Sequence, residues 1–104
     1  MNETEMSKFL EPHLATLRAI SSGAGDREII EASKAVSAIA AQFNYPPVLN
    51  DARRAQDGLA RALKLVDFQR KQEVATEAAE FFADRALVTI LRWVNEDETG
   101  SRSV

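Results

Sequence analysis

The chain has 104 residues, 45% hydrophobic and 28% charged, with 13 Lys and Arg against 16 Asp and Glu and a formal net charge of -3. That length and balance suit one folded domain with one modest core, and the scattered basic residues form no stripe of the kind a phosphate backbone requires, so direct nucleic-acid binding is not expected. The absence of cysteine removes disulfides, thiolate nucleophiles and thiolate metal sites, while an acidic, polar opening and apolar runs well below the roughly 20 residues of a membrane span predict a cytoplasmic chain.

The first predicted element covers about Thr4 to Ile20, where Phe9, Leu10, Leu14, Leu17 and Ile20 recur at helical spacing. Pro12 falls inside it. A proline in a helix interior is destabilising by about 3 kcal/mol, so the expectation is either a main helix that starts near Glu11 or a kinked turn before it. Ser21-Ser22-Gly23-Ala24-Gly25 then reads as a loop.

A second helix is predicted from Asp26, a suitable N-cap, with Glu28 placed against the helix dipole. Its apolar stripe is Ile29, Ala32, Val36, Ile39, Ala40 and Phe43, and Asn44-Tyr45-Pro46-Pro47 ends it. From Asn50, the expected N-cap of a third block, to about Val94 there is no proline and one glycine, Gly58. Pairs at a spacing of four, Asp57 with Arg61 and Asp67 with Lys71, support helix on both sides of its middle.

Two readings of this third block stay open. Ala55, Leu59, Leu63 and Val66 form one stripe, the polar run Gln69 to Glu73 interrupts it, and Val74, Ala78, Phe81, Val88 and Leu91 resume nearly in register. Continuity of register predicts one helix of roughly 65 Å, longer than a monomer could cover. A break in the polar run predicts a conventional four-helix bundle. Residues 1–3 and 95–104 read as frayed tails of a single helical domain spanning 1–104.

The most informative stretch is Phe81 to Val94, whose apolar residues occupy two adjacent stripes: Phe81, Val88 and Leu91 on one, Phe82, Ala86, Ile90 and Trp93 on the other. One bundle core needs one stripe, so the surplus suggests self-association or partner docking. Glu73, Glu77, Glu80 and Asp84 line an acidic edge of the same helix. They lack the Glu-x-x-His spacing of dimetal bundles, and a solvated face is the expectation. His13, the one histidine, lacks the lysine and glycine that follow the phosphoacceptor in histidine phosphotransfer bundles. Arg53 and Arg54 are flanked by Asp51 and Asp57, which should cancel their field, and no nucleophile elbow or phosphate loop is present.

These observations predict an all-α fold, two shorter helices packed on a long or broken C-terminal helix, dimeric, with no catalytic, cofactor or metal site. The expected function is that of a non-enzymatic regulator of bacterial type, an antiactivator that occludes a transcription regulator. Phe82, Ile90 and Trp93 would bury against the partner, and Glu77, Glu80 and Asp84 would steer the encounter. A structural subunit of a phage or multiprotein complex and a phosphotransfer bundle using His13 are the alternatives.

Overall fold

The computed structural model describes residues 3–23 and 25–103, with side chains described over 4–23 and 25–92. Its first helix, α1, runs Glu3–Arg18 and passes into a short 3-10 turn, Ala19–Ser22. Met6, Leu10, Leu14, Leu17 and Ile20 are its buried stripe. One helix therefore spans Pro12, which corrects the expectation of a start near Glu11. The reason is packing: Met6 and Leu10, both ahead of the proline, are buried in the common core, and their burial offsets the missing amide. Pro12 itself is exposed, and its carbonyl accepts the Thr16 hydroxyl at 3.0 Å.

Helix α2 runs Asp26–Phe43. Gly25, not Asp26, occupies its N-cap, and Asp26 becomes the first helical residue, with its carboxylate on the Lys71 ammonium across the bundle. Asn44 ends the helix in the left-handed region (φ 34°), where its amide still reaches the Ala40 carbonyl at 2.9 Å. Helix α3, Pro46–Lys64, starts at the two prolines and not at Asn50. Proline is preorganised for the first helical positions, whose amides have no intrahelical partner anyway, and it holds the preceding Tyr45 extended (φ -112°, ψ 128°). The same dipeptide thus stops one helix and opens the next.

The third block breaks at Leu65, Val66 and Asp67, immediately before the polar run, and α4 follows as Phe68–Ser103. Asp67 supplies the chemistry of the restart: its Oδ1 accepts the Arg70 amide at 2.9 Å, as an N-cap does. Lys71 accordingly pairs with Asp26 and not with Asp67. Val66 and Phe68 stand exposed beside the cap.

Short links between packed neighbours make successive helices antiparallel. Phe9 near the start of α1 meets Phe43 at the end of α2 (ring centroids 5.8 Å apart), and Gln72 in the first turns of α4 donates to the Ile20 carbonyl at 2.9 Å. Gln56 of α3 donates to the Ser33 carbonyl and the Ser37 hydroxyl of α2 at 2.8 and 2.9 Å. The most extensive contact is α3 with α4; among the described residues α2 and α4 touch little and α1 and α3 not at all, which places each of those pairs across a bundle diagonal. One apolar cluster, fed by all four helices, fills the centre. No helix among the described residues is long and apolar enough to cross a membrane.

The α3–α4 seam is unusually close at one point. A Cβ built on Gly58 would lie 2.8 Å from the Cβ of Ala78, well inside contact distance. Ala55, Ala62, Ala75 and Ala79 are buried nearby, so small residues set the spacing of the two backbones. Gly58, poor in helix propensity, is what lets the second helix approach.

Candidate functional site

The two apolar stripes of α4 separate cleanly. Phe82, Ala86 and Ile90 have 0% exposure, together with Ala75, Ala79 and Ala83 on the same side. Phe81 is half-buried and Val88 is 57% exposed, while Leu87 and Leu91 pack partly against the core. Phe82 and Ile90, expected at a partner surface, therefore belong to this chain's own interior. The alanines explain the choice: they give the Phe82 side a surface that neighbouring helices can cover closely. Glu77, Glu80, Asp84 and Arg85 surround Phe81, and burying that side would desolvate them. This alanine spacing was the legible signal that the larger residues obscured.

The side chain of Trp93 lies outside the described residues. Glu77, Glu80 and Asp84 are exposed, as is Glu73, along the outward edge of α4. Glu77 also borders a cleft of about 420 Å³ between α3 and α4, which Arg54, Arg61, Leu65, Arg70, Val74 and Phe81 help to line. Three guanidinium groups face one carboxylate there, on a chain whose formal net charge is -3.

Phe81 is clasped by two of the arginines. The Arg54 guanidinium carbon lies 5.0 Å and that of Arg85 5.4 Å from its ring centroid, within cation–π range. Arg85 also donates from Nε to Asp51 Oδ2 at 3.3 Å. Asp51, only 9% exposed, is therefore turned toward Arg85 and does not neutralise Arg54. The expected cancellation of Arg53 and Arg54 by flanking acids fails at Asp51 for that reason. Sequence neighbours separated by three positions on a helix need not face each other's charge once one of them has a partner on another helix.

His13 is half-buried with its ring 5.0 Å from that of Phe9, tilted by 58°. Among the described residues no group of three or more His, Cys, Asp or Glu side chains is disposed to hold a metal ion. The arrangement can bind carboxylates through planar guanidinium forks and can cover an aromatic ring, both of which are recognition chemistry.

Fold and face together define a four-helix bundle with an arginine-lined cleft on the outer side of its α3–α4 pair. Comparison with family models, curated proteins and solved structures gave no match.

Proposed function

We propose that the protein is a non-enzymatic regulator that docks another protein chain on the outer α3–α4 face. The observation that carries this reading is Phe81, held half-exposed between Arg54 and Arg85 at the rim of the cleft. Aromatic and arginine side chains are the types that concentrate binding energy at protein interfaces, and here they are already fixed in contact with each other. Val88 continues the apolar line one further stretch along α4, and Glu77, Glu80 and Asp84 border it.

The mechanism is occlusion, as in antiactivators that cover a transcription regulator. Arg54, Arg61 and Arg70 engage carboxylates of the partner, Phe81 and Val88 lose water against its apolar side chains, and the acidic edge sets orientation. The test is affinity capture from the native cell with immobilised protein, comparing the native chain with Phe81→Ala combined with Arg54→Ala. We expect the double substitution to lose specific partners while its helical signal and thermal transition stay near native. An unchanged set of captured proteins with the folded variant would sink the proposal.

A further inference from the structure

Acidic and basic groups form two neighbouring bands on the same outer face. Arg54 and Arg61 lie on the α3 side, with the exposed Asp57 one helical turn from each; Glu73, Glu77, Glu80 and Asp84 lie, all exposed, on the outward edge of α4. Among the described residues, none of these seven side chains has an intrachain ion-pair partner. Their levels along the bundle also correspond. Gly58 faces Ala78 and Arg54 covers Phe81, so in this antiparallel pair Arg61 lies level with the turn around Ala75, between Glu73 and Glu77. Arg54 likewise lies at the level between Glu80 and Asp84.

We infer that the chain which occupies this face is a second copy of the protein itself, related by a twofold axis running along the bundle. This rests on the reading of the face as a docking surface. Such an axis carries the α3 band of each copy onto the α4 edge of the other at the same level, as an isologous contact requires. Arg61 then meets the partner's Glu73 and the partner's Glu77, and Arg54 meets the partner's Glu80 and the partner's Asp84, each twice by symmetry. Phe81 and Val88 fall between the bands, near the axis, where water is excluded. A foreign segment that is simply acidic would satisfy the arginines but leave the exposed α4 carboxylates Glu73, Glu80 and Asp84 without partners. A second copy brings both signs. Self-association and docking of any other chain then compete for one surface.

The experiment is sedimentation of the full chain at low and high salt, with two charge-reversed variants examined singly and mixed: Arg54→Glu with Arg61→Glu, and Glu73→Lys, Glu77→Lys, Glu80→Lys and Asp84→Lys together. Each variant alone should associate at least about tenfold more weakly than the native chain. Their mixture should form a one-to-one heterodimer with near-native affinity, since every contact regains opposite charges, and this also shows that both variants are folded. Added salt should weaken the native dimer. A native chain that stays monomeric, or variants that associate alone as well as when mixed, would overturn the inference. If the native chain is monomeric but Phe81-dependent capture of another protein persists, the inference falls while the docking reading stands. If Phe81→Ala alters neither association nor capture, both fall.

Discussion

Phe81 and Phe82 are adjacent in the chain and about 100° apart around α4, and that rotation separates an interface candidate from a core residue. Phe82→Ala should lower unfolding free energy by about 3–5 kcal/mol, the range for emptying a buried aromatic site. Phe81→Ala removes two cation–π contacts at a partly wet site and should lower it by about 1 kcal/mol. Urea titration of the two variants checks both, and equal losses would contradict the assignment of faces. The existence of two stripes was legible from spacing alone. Which one turns inward was not, because hydrophobicity ranks the two phenylalanines equally; only the alanines Ala75, Ala79 and Ala83, buried at 0%, distinguish their sides. The cleft was less legible still. Arg54 and Arg61 come from one helix and Arg70 from the next, and their convergence depends on an antiparallel turn whose position the hydrophobic register did not reveal.

At the scale of the element, the seam between α3 and α4 is governed by a single missing methyl group. Gly58→Ala would place its Cβ against that of Ala78, and the overpacking, about 1–3 kcal/mol, outweighs the gain in helix propensity of about 1 kcal/mol. We expect a net loss near 1 kcal/mol, and recovery toward native stability when Ala78→Gly is added, because the small and large positions have then only changed places. Chemical denaturation of the two single variants and the double variant forms the cycle; additive losses would show that the contact is not the cause. The helices themselves were readable from apolar period and from Gly and Pro punctuation. Their ends were less so. Asn50 has the right chemistry for a cap, yet Pro46 and Pro47 open α3 with the cap five residues earlier at Tyr45, and Val48 in that first turn is fully buried. Asp67 stands at the right spacing to pair with Lys71, yet its carboxylate caps α4 and Lys71 pairs with Asp26. A local signal of moderate strength loses to whichever placement buries more apolar surface.

Across the whole molecule, four helices share one core, and α1 contributes Met6, Leu10, Leu14 and Leu17 to it. Deleting residues 1–18 would expose the faces of α2 and α4 that those side chains cover, so the shortened chain should lose its sharp cooperative thermal transition while keeping part of its helical signal. Circular dichroism on heating checks this, and a sharp transition near that of the intact chain would mean that α1 is peripheral. The all-α class followed from composition and period; the choice between one long helix and two did not, since both keep the apolar register across Leu65 to Asp67. The seam of alanines around Gly58 bears on recognition as well as packing. Alanine and glycine have no side-chain rotamers to surrender on burial, so the two helices that carry Arg54, Arg61 and Phe81 are joined along a line with little internal freedom. The backbone of the outer face is therefore a stiff plate, ordered before any partner arrives, and association has only exposed side chains such as Arg54 and Arg61 left to arrange.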